Sequence, residues 1–280
     1  MARDPRQDPY TAIATWYDVE HDRVTEDIEC YQELIVQADL RAPAILEIGS
    51  GTGRVLARLA AAGYTVTGIE PSEAMRTRCA RRLAALPERV SRRVRVLAGD
   101  AEHLPLGEQD QFDLSLFGMN TFAHLLSSQA RYRALTELGA HLRPGALLLL
   151  DLDLLGVRRL AETAGQLWWQ GTWPLPENNA VLLSHLISAA PPTTPGILPV
   201  THLYDIHEQG GEVRRTISSM SLALLSKGEV DMALQFAGFS MDDVFGGYDL
   251  TPWDDASSRA IFVARWPGRQ TVQEQLSGSS

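Results

Sequence analysis

A five-residue apolar run at 44–48 breaks into Gly49-Ser50-Gly51-Thr52-Gly53, and residues 54–62 then continue with helical spacing until Gly63. Strand, glycine turn and helix in that order leave few folds open, because the chain must cross over to reach a parallel neighbour. The unit recurs. Residues 64–69 read as a strand, 72–86 as a helix with Ser72 as N-cap, and 94–98 and 112–117 as further strands. A helix at 130–142 stops before Pro144-Gly145, and 146–151 gives a fifth strand. Apolar strands alternating with helices build a sheet covered on both faces.

Around that core the pattern changes twice. Residues 10–39 carry Ile13, Tyr17, Val24, Ile28, Tyr31 and Ile35 at helical spacing, which predicts one or two amphipathic helices. After residue 153 come Trp168, Trp169 and Trp173 among prolines. β-rich runs follow at 181–188, 200–206 and 213–223, with Gln209-Gly210-Gly211 as a hairpin signal. The doubly wound layer resumes with a helix from Ser226 to residue 237 and strands at 241–245 and 260–266. The expected fold is thus α/β: a doubly wound, mostly parallel seven-stranded, Rossmann-like sheet with an inserted antiparallel β-rich cap. Its parts are 1–152 (N-terminal helices and cofactor-binding core), 153–225 (substrate cap), 226–268 (completion of the core) and 269–280 (a flexible tail).

The net charge of −10, from 25 basic against 35 acidic residues, repels phosphate backbones and argues against a nucleic-acid partner. The only basic stretch is the arginine-rich run at 76–95. Cys30 and Cys79 lack CxxC or metal-ligand spacing, which leaves two buried thiols and predicts no metal site. No apolar run reaches membrane-spanning length and the first residues lack a signal-peptide core, so the expected compartment is the cytoplasm. Nothing in the sequence fixes the oligomeric state.

The chemistry concentrates at the carboxyl ends of the first strands. Glycines at 49, 51 and 53 let a ligand approach the backbone, and the G-x-G-x-G spacing departs from the dinucleotide fingerprint G-x-G-x-x-G. Glu47 stands two residues before the loop. Glu70 closes the second strand, where a carboxylate accepts hydrogen bonds from ribose hydroxyls, and Asp100 follows the third. Three acids at successive strand ends suit a cationic or neutral nucleoside and repel a diphosphate.

These motifs, LEIGSGTGR, GIEPSEAM, GDAEHLPL, FDLSLFGMNTFAHL and HLRPGALLLLDL in this order, resemble the class I S-adenosylmethionine-dependent methyltransferases. The nearest flavour is the small-molecule branch that includes glycine and amino-sugar N-methyltransferases. The resemblance covers about 10–153 and 226–266, and Gly145-Ala146 departs from it where many relatives have a second glycine. It implies S-adenosylmethionine as cofactor, held by Glu47, Gly49, Gly51, Gly53, Glu70, Asp100, Ala101 and the segment from Phe117 to Met119. It also implies a small-molecule methyl acceptor and in-line displacement onto an amine or hydroxyl, nitrogen slightly preferred. His124 either handles a proton or substrate, or caps a helix, and Tyr17 either folds over the cofactor or packs in the core. The three tryptophans either line a substrate pocket or anchor the cap. Two other classes share the glycine loop: an NAD(P)-dependent oxidoreductase and a non-catalytic S-adenosylmethionine-binding module.

Overall fold

A computed structural model describes residues 8–175, 180–188, 194–208 and 210–268. The chain opens with two helices, α1 (Pro9–His21) and α2 (Glu26–Gln37). Next come β1 (Ala44–Ile48), α3 (Arg54–Ala61), β2 (Thr65–Glu70), α4 (Glu73–Ala84), the short α5 (Glu88–Ser91) and β3 (Val94–Ala98). β4 (Phe112–Phe117) leads through a single 3-10 turn (Thr121–His124) to α6 (Ser128–Ala140) and β5 (Leu142–Leu152). Then follow α7 (Leu154–Glu162), β6 (Leu167–Leu175), β7 (Ala180–Ser188), β8 (Ile197–Glu208) and β9 (Val213–Ala223). α8 (Lys227–Phe236), β10 (Ser240–Phe245) and β11 (Ala260–Arg265) complete the described chain.

Seven strands form one sheet in the order β10-β11-β5-β4-β1-β2-β3. β1 pairs in parallel with both β2 and β4, and β11 runs antiparallel to β5 and β10. Because the chain leaves β1 to one side and returns on the other, a crevice opens at the carboxyl ends of β1 and β4. β5 shows why its apolar run is unbroken. Leu148 and Leu150 pack into one core cluster while Leu147 and Leu149 pack into the cluster on the opposite face, all almost fully buried. Truncating one of them to alanine should cost about 2–5 kcal/mol.

The other four strands form an antiparallel sheet, β6-β7-β8-β9, as expected of the insertion. Its inner face meets α1 through Ile13, Leu182, Tyr204 and Ile206, and α7 through Leu160, Leu198 and Val200. Three details differ from expectation. β5 begins at Leu142 rather than at 146, α7 occupies residues read as the start of the cap, and the tryptophan stretch is a strand, β6. Pro174 is tolerated there because β6 lies at an edge of its sheet. Trp169 is 64% exposed, and only Trp173 of the three packs against the cluster that α1 shares with the sheet. β8 and β9 pair as a hairpin with Gly211 at φ +83°, while Gln209 and the expected tail 269–280 lie outside the described residues. Cys30 and Cys79 are buried free thiols. No helix among the described residues is long and apolar enough to cross a membrane.

Candidate active site

The crevice holds a cavity of about 990 Å³ walled by the β1 loop, the ends of β2 to β4, the start of α1 and one stretch of β9. Gly49 and Gly51 sit at φ +71° and +56°, a region side chains disfavour. A Cβ on Gly49 would lie 2.5 Å from Thr121 Cγ2, so the loop can pass beneath the 3-10 turn only as glycine. At Gly51 a Cβ would enter open space, which is the bare backbone a bound ligand can approach. Gly53 takes a different place from the other two. It is not on the cavity wall, and its missing Cβ makes room for Cys79 Sγ, 2.5 Å from where that atom would stand.

Glu70 ends β2 with both carboxylate oxygens drawn toward the loop: Gly51 N–H donates to Oε2 at 2.8 Å and Ser72 N–H to Oε1 at 2.8 Å. Burial pushes this carboxyl up to about 7 against the pull of those two amides. Glu47 is buried more starkly. Its Oε2 has no hydrogen-bond partner, and burial pushes the group up to about 8 despite the opposing field of Arg54. Arg54 itself is committed to a two-pronged ion pair with buried Asp27, which ties α3 to α2. An orphaned buried carboxyl at the cavity wall fits a cationic ligand group.

Asp100 reaches the wall, and its Oδ1 accepts from the amides of Glu102 and His103 at 3.0 and 3.1 Å, a turn-forming role. Ala101 lines the cavity beside it. Phe117 is 1% exposed, packs edge-to-face on Phe122 at 5.5 Å within the core, and is not on the wall. Met119, two residues on, is on the wall at φ +44°.

The opposite wall comes from α1. Asp8 caps this helix by accepting from Tyr10 N–H and also takes the Ser72 hydroxyl at 2.6 Å, while Asp18 binds Arg78 and Arg82 of α4. Two arginines of the arginine-rich stretch thus serve inside the molecule, fastening α1 over the β1 loop, where Arg82 also donates to the Thr52 carbonyl. Tyr17 lines the cavity, stacks on His21 at 4.2 Å, and is pushed up to about 12 by burial. Tyr10, one further helical repeat back, stands 6.4 Å from Tyr17 ring to ring, with its hydroxyl 2.9 Å from His124 Nε2. Sequence reasoning missed Tyr10. The seven-residue spacing from Tyr17, which puts both rings on one helix face, was the available signal.

The comparisons with known proteins follow this geometry. Residues 45–145 match the family model described as a methyltransferase domain. Among solved structures, the CcbJ methyltransferase of Streptomyces caelestis superposes with a TM-score of 0.74 at 26% identity, covering 92% of this chain and 98% of that one. The amino pentose methyltransferase CalS10 of Micromonospora echinaspora, solved with S-adenosylmethionine bound, gives 0.65 at 21% identity over 90% and 94%. The sugar N-methyltransferase KedS8 of a Streptoalloteichus species gives 0.68 at 19% over 90% and 91%. No curated protein sequence matches the chain. Sheet order, glycine loop and family match together define a methyltransferase domain over residues 45–145 of this protein, within a chain that shares the fold of the solved methyltransferases. It is an enzyme that uses S-adenosylmethionine, and the oxidoreductase and non-catalytic alternatives give way to that reading.

Proposed function

We propose that the protein methylates an amine on a small molecule, with the antiparallel sheet β6-β7-β8-β9 and α1 forming the roof over the acceptor. The observation that carries this reading is the Tyr10–His124 hydrogen bond in the wall of the same cavity as Glu47 and Glu70. Glu47 would hold the cofactor's ammonium and Glu70 its ribose hydroxyls. Gly49 and Gly51 would give its chain room, Asp100 and Ala101 would flank the adenine, and Met119 would close the near side. When bound, S-adenosylmethionine supplies a methyl carbon already activated by its sulfonium, so the new N–C bond forms as the C–S bond breaks and its electron pair stays on sulfur.

The protein's own work is then to orient, to exclude water and to take one proton. Burial pushes the Tyr10 phenol well up, so it keeps its hydrogen at neutral pH. An incoming ammonium passes a proton to Tyr10 Oη as the phenol's own proton moves to Nε2 of His124, and the freed lone pair is then the nucleophile. Tyr17 packs the acceptor from the side. Nitrogen is favoured over oxygen because KedS8 and the glycopeptide enzyme MtfA are named as N-methyltransferases. The roofed crevice and acidic surface support a small acceptor rather than nucleic acid, and two buried free thiols accord with a cytoplasmic setting.

The test is a screen of amino sugars and amino-acid amines beside hydroxyl counterparts, read as methylated product and S-adenosylhomocysteine by mass spectrometry. Turnover on an amine with none on its hydroxyl counterpart supports the reading. Turnover on hydroxyls alone overturns it.

A further inference from the structure

β5 carries an anomaly for a strand of leucines: Asp151, with no exposed surface, sits among them. A buried carboxylate is costly unless several groups bind it, and here donors converge from three separate segments. Tyr31 of α2 donates to Oδ2 at 2.5 Å and Tyr248, from the loop between β10 and β11, at 2.9 Å. Arg259, from the same loop, holds Oδ1 through Nε at 2.7 Å and lies over the Tyr248 ring. The third segment is the end of β4. Met119 N–H donates to Oδ2 at 3.3 Å, and Asn120 N–H donates to the backbone oxygen of Asp151 at 2.9 Å.

Those two residues are consecutive in the left-handed region, Met119 at φ +44° and Asn120 at φ +64°. Side chains disfavour that conformation, so something outside the segment must hold it. Asp151 does so through side chain and backbone together. Asn120 adds a brace by accepting the Asp153 amide at 2.6 Å, and the Tyr31 hydroxyl lies 3.4 Å from where a Cβ on Gly118 would stand. The gripped turn feeds directly into the 3-10 turn that ends in His124, and Met119 and His124 both face the cavity.

We propose that Asp151 is a positioning residue of the methyl-transfer site, a clamp that fixes the Met119–Asn120 turn and through it the wall formed by Met119 and His124. The proposal rests on the methyltransferase reading for its functional consequence, while the clamp itself rests on geometry alone. Asp151 does not line the cavity.

The test compares wild type, Asp151→Asn and Tyr248→Phe in the full chain. Calorimetry with S-adenosylhomocysteine and amide hydrogen exchange at Met119, Asn120 and Thr121 are measured, with Leu148 to Leu150 as internal reference. Asp151→Asn is expected to weaken binding by about tenfold or more, as a displaced site wall does, and to speed exchange at 119–121 while leaving 148–150 protected. Tyr248→Phe, which removes one donor and spares the fold, should move both readouts in the same direction by a few-fold. If Asp151→Asn does not fold, Tyr248→Phe carries the test. Unchanged binding with unchanged local exchange overturns the proposal, and so does a uniform loss of protection across both segments. Failure of the wild type to bind S-adenosylhomocysteine counts instead against the cofactor reading, with the exchange pattern still deciding the clamp.

Discussion

The two walls of the cavity are built on different principles. The wall proposed for the cofactor consists of strand ends and backbone: Glu47 on β1 and Glu70 at the end of β2 stand on paired parallel strands inside the seven-stranded sheet, and Gly49 and Gly51 lie in the loop that leaves β1. The acceptor wall consists of side chains carried by α1, the 3-10 turn and one strand of a separate antiparallel sheet, joined by Tyr10 to His124 and Asp8 to Ser72. Strand ends repeat across a fold because the sheet fixes them, while a helix laid over the opening is free to vary its side chains. The first wall therefore speaks for the chemistry and the second for the acceptor.

Substitutions on each wall should separate binding from turnover, in descending size. His124→Ala removes the proposed proton acceptor and should lower turnover by about 10²- to 10⁴-fold, with S-adenosylhomocysteine affinity held within about twofold. Parallel loss of binding would erase the distinction between the walls. Glu70→Ala is the converse case: losing the hydrogen bonds proposed between this carboxylate and the ribose should weaken binding by about 10²-fold. Calorimetry on the two variants reads both effects.

A smaller effect comes from pH. The folded-state values of Glu47 and Glu70 are raised by burial to about 8 and about 7, above the ordinary 4.5, so the ligand-free fold holds more protons than the unfolded chain between about 4.5 and 8. Its stability should accordingly fall as pH rises through that window. A cationic ligand group favours ionised Glu47, so S-adenosylhomocysteine affinity should rise over the same range with proton release, measurable as a buffer-dependent heat. Glu47→Gln should flatten the affinity trend and reduce the stability trend to the part that Glu70 carries, and an unaltered pH profile in that variant would dissociate Glu47 from both. The smallest change is expected at Trp169→Ser on the outer sheet face, within about 0.5 kcal/mol in stability and neutral in cofactor binding.

Legibility in the sequence follows the same division. The strand–glycine–helix unit, Glu47 and Glu70 were readable because spacing alone brings them to one sheet edge. Phe117 turns into the core rather than the cavity, since one residue of phase decides which side of a strand end a side chain takes, and Gly53 serves the packing of Cys79 beneath the loop. β6 escaped because Trp168, Trp169 and Pro174 do not alternate cleanly on an edge strand bulged between Trp169 and Gly171. Tyr10 escaped because its seven-residue spacing from Tyr17 marks only a shared helix face, while the partner that gives it meaning, His124, lies 114 residues away.

The central claim is that the cavity at β1 and β2 binds S-adenosylmethionine through Glu70. Calorimetric titration of the wild type and Glu70→Ala with S-adenosylhomocysteine, beside NAD and NADP, tests it most directly. The account expects micromolar binding of S-adenosylhomocysteine by the wild type alone and none of either dinucleotide, whereas binding of a dinucleotide, or equal binding by the variant, would contradict it.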